Sequence, residues 1–253
     1  MFPDLVDIGF LHLKTYGACM ALGFFLAWSF VERLSGRKDL SNFLILLMVS
    51  GVVGSRIAYV VEHWGAEFAA HPERIIRVDQ GGLMFYGGLI LAILVFFVWC
   101  RVRKENVFEM ADLLTCVIPL GHAFGRLGCF FYGCCYGRDS TAWCAVTFPK
   151  GSPSWFEHHG ELVSVLPTQL FEAAALLALF AILLLVRRAR VTGRVTGVYL
   201  AGYAIIRFFM EYLRGDPRAV VFGVLSIGQT ISVAMLLLSF VFLFKNRLFS
   251  HHD

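Results

Sequence analysis

Charge is scarce in this chain. Only 16% of its 253 residues are Asp, Glu, Lys or Arg, against about 25% in ordinary soluble proteins, while 58% are hydrophobic. With a mean hydropathy of +0.71, this composition excludes a typical soluble domain. Period-two polarity over segments of about ten residues, the mark of a membrane β-barrel, is missing. Disorder is excluded too, because 15% of the residues are aromatic and disordered segments are poor in aromatics. No Cys-x-x-Cys pair and no standard zinc spacing occurs among the seven cysteines, and no internal repeat of the kind many transporters carry is detectable. The N-terminus lacks the basic stretch, short apolar core and small-residue cleavage site of a removable signal peptide, since Asp4 and Asp7 precede the first apolar block. That block is expected to remain as an uncleaved anchor.

The apolar residues gather in long uninterrupted blocks, and about 20 such residues are needed to cross about 30 Å of hydrocarbon. The expected fold is all-α: a polytopic membrane protein with seven transmembrane helices, at about 15–32, 42–61, 82–100, 113–131, 169–186, 195–213 and 220–244. Alternate connections share the basic residues unequally: twelve of the 22 Lys and Arg fall in one set and seven in the other. The positive-inside rule then puts the N-terminus outside and the C-terminus in the cytoplasm. The net charge of +4 is a fringe flanking the spans rather than a nucleic-acid surface. The chain reads as one membrane domain, 1–253, with residues 132–168 forming a small outward-facing head between the fourth and fifth helices. The short inner connections leave the bilayer or the outer face as the place for chemistry.

Three arginines, Arg56, Arg126 and Arg207, fall inside apolar blocks. Arginine near a bilayer centre costs at least about 2.5 kcal/mol on insertion scales, so such residues face a partner or a wet cavity. Interhelical glue competes with a ligand site for each; three together favour a cavity for an anion. In the sixth span Tyr203, Arg207, Glu211 and Arg214 share one helical face. Arg207 and Glu211 should pair, and Arg214 sits at the outer end of the helix, where something from outside would meet it. Gln169 and Glu172 are one turn apart behind Pro167 and Thr168; a cap with a first-turn carboxylate and a functional role compete there. Two glycine-rich segments, Gly81 to Gly88 and Gly125 to Gly137, suggest backbone packed closely around a ligand, with tight helix packing as the competing reading.

In order and spacing, these pieces resemble the prolipoprotein diacylglyceryl transferase family. The residues carrying the likeness are Tyr16-Gly17; Gly81-Gly82-Leu83 with Gly87-Gly88-Leu89-Ile90; Gly125-Arg126-Leu127-Gly128 with Gly133 and Tyr136-Gly137; Pro167 to Glu172; Arg207-Phe208 through Glu211 to Arg214; and Ile227-Gly228-Gln229. The resemblance implies a bacterial inner-membrane enzyme that moves a diacylglyceryl group from phosphatidylglycerol to the lipobox cysteine of a prolipoprotein, with Arg126 and Arg214 essential. It departs from the family where a histidine is usual and this chain has Tyr86, where Asn and Glu are usual and it has Cys129 and Cys134, and where Tyr132 replaces a second Asn.

For the implied displacement, Arg126, Arg214, Tyr86 and Tyr16 are the expected catalytic residues, with Arg126 and Arg214 on the phosphate. Arg126, Arg207, Glu211, Gly87, Gly88, Gly128, Gly137, Gln169, Glu172 and His122 are expected around the substrate. His122, four residues before Arg126, is either a substitute for the missing imidazole or a packing histidine. The expected partners are phosphatidylglycerol, the prolipoprotein signal-peptide region and the lipid bilayer, with no nucleic acid, no cofactor and no metal. Three readings of Cys129, Cys134, Cys135 and Cys144 stand open: disulfides clamping the head, which is favoured, a metal site, or redox chemistry. A relative with a different thiol or lipid acceptor, a seven-helix channel or transporter for an anionic substrate, and a membrane thiol oxidoreductase are the functional alternatives.

Overall fold

In hydrocarbon every backbone polar group must be satisfied within the protein, and long apolar runs therefore fold as helices. The computed structural model describes residues 4–7, 12–77, 81–215, 220–221 and 225–248. Its helices are α1 (Thr15–Ser35), α2 (Ser41–Glu62), α3 (Phe85–Arg103), α4 (Val107–Tyr132), the short α5 (Pro153–Glu157), α6 (Thr168–Arg187), α7 (Arg194–Leu213) and α8 (Ile227–Leu248). Among the described residues, α1, α2, α3, α4 and α6 are long and apolar enough to cross a membrane, while the apolar part of α8 is shorter, Ile227–Leu243. Phe25, Ile57, Val98, Phe209 and Leu237 are more than half exposed, large apolar side chains facing outward as a lipid-facing surface requires. Helix α4 continues through Pro119.

The last expected span began too early. Val220–Val221 and Leu225–Ser226 pair as a short antiparallel hairpin, and α8 begins only at Ile227. Ser226 and Gln229 cap it reciprocally: the Gln229 amide N–H donates to Ser226 Oγ at 3.1 Å, and the Ser226 N–H donates to Gln229 Oε1 at 3.1 Å. This S-x-x-Q capping box is legible in sequence. Residues 222–224 of that expected span, and Arg218 before it, lie outside the described residues.

The chain divides into two compact units. In the unit Glu32–Met110, α2 and α3 approach at glycines: a Cβ added to Gly54 would stand 2.5 Å from the Gly87 carbonyl oxygen, and one on Gly88 2.5 Å from that of Gly51. Arg37 closes the other end of this unit, forking onto Asp39 (2.7 Å) and Glu105 (2.6 Å).

In the unit comprising residues 1–31 and 111–253, α1 crosses α4 at Gly23 and Gly121, α6 packs on α7, and α7 on α8. Buried Asp112 of α4 holds the start of α7, accepting from the Gly193 N–H (2.6 Å), the Thr196 N–H (2.8 Å) and Thr196 Oγ1 (2.6 Å). A carboxylate there satisfies orphan N–H groups and complements the helix dipole. The segment 132–168 has its own small core of Tyr136, Phe148 and Val165, with Val146–Thr147 paired to Ser164–Val165 and α5 capped by Ser152. His158 fastens α5, with Nε2 3.0 Å from Asp139 Oδ1 and Nδ1 2.6 Å from the Ser154 carbonyl oxygen. Burial opposes its protonation, yet the Ser154 carbonyl and the Asp139 carboxylate outweigh it and raise its pKa.

Two outcomes follow from these contacts. Asp112→Ala should lower unfolding stability in detergent by about 1–2 kcal/mol, the usual loss for a helix cap, with Asp112→Asn losing less; an unchanged denaturation midpoint would remove the capping role. Stability from charged His158 is fully present below the ordinary value near 6.5 and disappears as pH rises through the raised folded value. The stability difference between wild type and His158→Gln should therefore be larger at about pH 6 than at about pH 9, and a difference independent of pH would reject the assignment.

Candidate active site

Glu172 is the hub of the unit that contains it. Its side chain projects from the first turns of α6 and is 2% exposed. Arg126, from the last turns of α4, brings Nη2 to 2.8 Å from both carboxylate oxygens. His122 Nε2 stands 3.9 Å away and Arg207 Nη1 4.0 Å away. Two cations and an imidazole thus surround one carboxylate within an apolar helix cluster of Ala123, Ala173 and Leu176, flanked by Leu127 and Tyr203. The cap reading of Glu172 does not hold. No side chain caps α6, Pro167 occupies its N-cap position, and Glu172 neutralises a buried guanidinium instead. His122 packs against the Tyr203 ring at 5.3 Å between centroids.

Arg207 pairs with Glu211 at 2.9 Å, as its spacing predicts. Ser226 adds a hydrogen bond from its Oγ to Glu211 Oε1 at 2.7 Å. Gly228 makes this approach feasible: a Cβ there would stand 2.8 Å from Glu211 Oε2 and 3.1 Å from Arg207 Nη2. Among the buried atoms in this region, Arg126 Nε, Arg207 Nη1 and Gln169 Oε1 have no hydrogen-bond partner. A buried polar atom left unpaired costs about 1–3 kcal/mol, so two guanidinium donors in that state mark a place made for an acceptor.

The glycine-rich signature turns at the end of α4. Gly133 adopts φ +82° and Cys135 φ +62°, reversing the chain so that the Cys134 N–H reaches back to the Cys129 carbonyl at 3.2 Å. The turn is pinned to α6, because Gln169 Nε2 donates to the Cys134 carbonyl (2.7 Å) and Thr168 Oγ1 to that of Cys135 (2.9 Å). Gly137 then bridges to Arg214 as an isolated antiparallel pair; a Cβ on Gly137 would stand 2.8 Å from the carbonyl oxygens of Leu166 and Leu213. Gly128 lies against Tyr16, 2.9 Å from its ring if it carried a Cβ. Arg126, Arg214, Arg207, Glu211, Glu172, Gln169, His122, Tyr16, Gly128 and Gly137 all belong to this one unit.

The sulfur atoms of Cys129, Cys134 and Cys135 lie within 4.8 Å of one another. All seven cysteines are unbonded thiols, which corrects the favoured expectation of disulfides; Cys144 is not part of the trio. Hydrogen bonds from Cys129 and Cys134, with the positive charge of Arg214 and Arg126, outweigh burial and hold the Cys135 thiol below the usual thiol range.

Tyr86, Gly87 and Gly88 belong to the other unit. Tyr86 is in the first turn of α3, its ring 5.6 Å from that of Phe85 and half exposed. Gly87 and Gly88 sit at the crossing of α2 and α3 described above, which realises the tight-packing reading. Arg56 corrects the expectation of an anion cavity. Its five guanidinium hydrogens go to five backbone carbonyls, of Ile75 (2.9 Å), Gly81 (2.8 Å), Gly82 (3.0 Å), Arg74 (2.6 Å) and Arg77 (3.2 Å). Gly82, at φ +73°, leaves room for it, since a Cβ there would stand 2.5 Å from Arg56 Nη1. This arginine organises the connection from α2 to α3 and has no donor left for a ligand. Sequence reasoning passed over Ser226 and Asp112 and read Thr168 only as part of a helix entry; of the two missed residues, only Ser226, in its capping box, carried a local signal.

A family model described as prolipoprotein diacylglyceryl transferase matches residues 3–245. Among curated proteins, a phosphatidylglycerol--prolipoprotein diacylglyceryl transferase of Pseudoalteromonas translucida (strain TAC 125) is 33% identical over 92% of this chain and 88% of its own length. A protein of Clostridium perfringens (strain 13 / Type A) carrying the same name with the number 2 is 34% identical over 92% and 91%. One of Rhodospirillum rubrum with that name is 32% identical over 94% and 90%.

The hub makes a sharp energetic claim. Removing one partner of a buried ion pair costs about 3–5 kcal/mol, so Glu172→Gln should lower unfolding stability by that order in detergent denaturation, whereas Glu157→Gln on the short helix α5 should leave it unchanged. Equal behaviour of the two variants would contradict Glu172 as the counter-charge.

Proposed function

The chain belongs to the prolipoprotein diacylglyceryl transferase family, and from that premise we propose that it transfers the diacylglyceryl group of phosphatidylglycerol to the thiol of the lipobox cysteine of a prolipoprotein, the first step of lipoprotein maturation. The sulfur of the substrate cysteine forms a bond to the glyceryl carbon while that carbon's bond to the phosphate oxygen breaks. The products are a thioether, glycerol phosphate and a proton.

One observation carries the site assignment: Arg126 Nε and Arg207 Nη1 are buried donors without acceptors, and a lipid phosphodiester supplies acceptor oxygens. Negative charge grows on the leaving phosphate in the transition state, where preorganised guanidinium groups in a dry site act most strongly. Arg126, held by Glu172, and Arg214, held at the Gly137 bridge, take the phosphate, Arg126 in a fork-like grip. Arg207, with Glu211, lines the same region, and Gln169 and His122 border it. Gly128 and Gly137 keep the backbone close. Tyr16 orients the lipid or relays a proton, a role that its place beside Gly128 supports. Tyr86 is assigned the same kind of role on its motif position alone, and Gly87 and Gly88 are assigned to substrate on theirs.

In this reading the protein is a multi-pass enzyme of the bacterial cytoplasmic membrane with seven spans. Its N-terminus and the segment 132–168 are outside, its C-terminus is in the cytoplasm, and its site opens to the bilayer and the outer face. The basic fringe supports that orientation. A channel or transporter is not favoured, because the matched relatives are named transferases. Nucleic acid has no place among the partners.

Purified protein incubated with phosphatidylglycerol and a lipobox-cysteine peptide should yield a peptide heavier by one thioether-linked diacylglyceryl group. Arg126→Ala should still insert, though less stably by about 3–5 kcal/mol because Glu172 loses its partner, and it should lose transfer by at least about 10²-fold at a temperature where it stays folded. Arg214→Lys should fall comparably, because a point charge cannot replace a planar fork. Near-normal transfer by Arg126→Ala would sink the phosphate assignment, and a fully active lysine variant would reduce Arg214 to a point charge.

A further inference from the structure

The transferase reading leaves one chemical need unmet. A substrate thiol with a pKa near 8.5 must be deprotonated to attack, and Tyr86 and Cys134 stand where a histidine and a glutamate are usual in the family the sequence resembles. What the chain offers nearby is three thiols. We propose that Cys129, Cys134 and Cys135 form a trithiolate zinc site whose fourth position is taken by the sulfur of the substrate cysteine. The proposal rests on the transferase reading and extends it to the activation of the nucleophile.

The geometry is close to what zinc needs. Zinc–sulfur bonds of about 2.3 Å in a tetrahedron put sulfurs about 3.8 Å apart, and these three lie within 4.8 Å of one another. Closing the difference takes small side-chain rotations. Consecutive residues in extended backbone point to opposite faces, but the left-handed turn at Cys135 breaks that alternation and lets Cys134 and Cys135 serve one site. Outer-shell hydrogen bonds fix that turn, from Gln169 and Thr168 to the Cys134 and Cys135 carbonyls, as ligand-bearing segments of metal sites are fixed. All three cysteines are partly exposed, so an incoming group can reach them. Three protein ligands with a fourth position open is the catalytic pattern for zinc, and closed four-ligand sites are the structural one.

Charge agrees as well. Three thiolates and one zinc ion carry a net charge of −1, and the Arg126 and Arg214 guanidinium groups lie within electrostatic range of Cys135. The chemistry balances without an oxidant or reductant. The substrate thiol binds zinc and releases its proton to water, since a coordinated thiol is deprotonated outright. A sulfur lone pair then forms the bond to the glyceryl carbon as the carbon–oxygen bond breaks, and the electron pair leaves with glycerol phosphate. The product thioether is neutral and a weak ligand, so it departs. Zinc suits a step with no electron transfer, being redox-silent and soft enough for sulfur.

Two measurements test this on the full-length protein purified in detergent. Elemental mass spectrometry should find about one zinc per chain after loading and dialysis, and a loss of tenfold or more in Cys129→Ser/Cys134→Ser/Cys135→Ser. Because that variant could misfold, the wild type loaded with cobalt(II) gives a second reading. Thiolate-to-cobalt charge-transfer absorption in the near ultraviolet should appear, and should grow by about a third when a lipobox-cysteine peptide adds a fourth sulfur to three, with no growth for the same peptide carrying serine. Copper in place of zinc, metal retained by the triple variant, cross-linked peptides among the three cysteines in unreduced protein, or a cobalt spectrum blind to the peptide thiol would each overturn the proposal. Full-rate transfer by the zinc-stripped enzyme would also overturn it while leaving the transferase reading intact. A normal cobalt response with no diacylglyceryl product would instead keep the zinc site and defeat the transferase reading.

Discussion

A carboxylate buried among helices without a counter-charge is among the most expensive things a membrane protein can hold, and Glu172 is tolerable only because Arg126 reaches it from α4 and Arg207 stands close on α7. The same argument runs in reverse for the arginines. Each needs negative charge nearby, and one carboxylate cannot satisfy every donor of both. The remainder, Arg126 Nε and Arg207 Nη1, is the observation on which the proposed anionic ligand rests. Structure and the proposed function share one constraint here: the helices α4, α6 and α7 can pack only with their charges matched, and the small mismatch that is left is where we propose the phosphate binds.

The surrounding residues keep that mismatch fixed. Ser226 and Gly228 hold Glu211 against Arg207, so Glu211 absorbs part of the Arg207 charge and leaves Glu172 to Arg126. Gln169 and Thr168 tie the cysteine turn to the start of α6, one turn before Glu172, and the Gly137 bridge sets Arg214 at the end of α7. Cationic, thiol and carboxylate groups are thereby gathered from α4, α6, α7 and α8 onto backbone positions with little freedom to move. Preorganisation of this kind is what a displacement with a phosphate leaving group requires, since charge develops faster than side chains can rearrange.

The two buried arginines whose fates diverge show how far burial alone can be taken as a functional signal. Arg56 and Arg126 have the same sequence signature, a guanidinium inside an apolar block next to glycines. Arg56 spends every donor on carbonyls of the connection between α2 and α3, and Arg126 keeps one in reserve. The cost of burying charge dictates that a partner must exist, and says nothing about whether that partner is the protein's own backbone or a ligand.

By itself the sequence determined that this chain crosses a membrane, where most of its helices run, that Arg207 pairs with Glu211, and which family the chain resembles. Those follow from local physics: apolar run length, i,i+4 spacing and short motifs. Only the tertiary structure decided that Glu172 is the partner of Arg126 and no helix cap, that Gly87 and Gly88 lie at a helix crossing, and that Cys129, Cys134 and Cys135 form a trio of thiols without Cys144. Each of these depends on which residues meet across helices or around a left-handed turn. Spacing along the chain constrains neighbours on one helix face; it carries no distance between groups that meet only when separate segments pack.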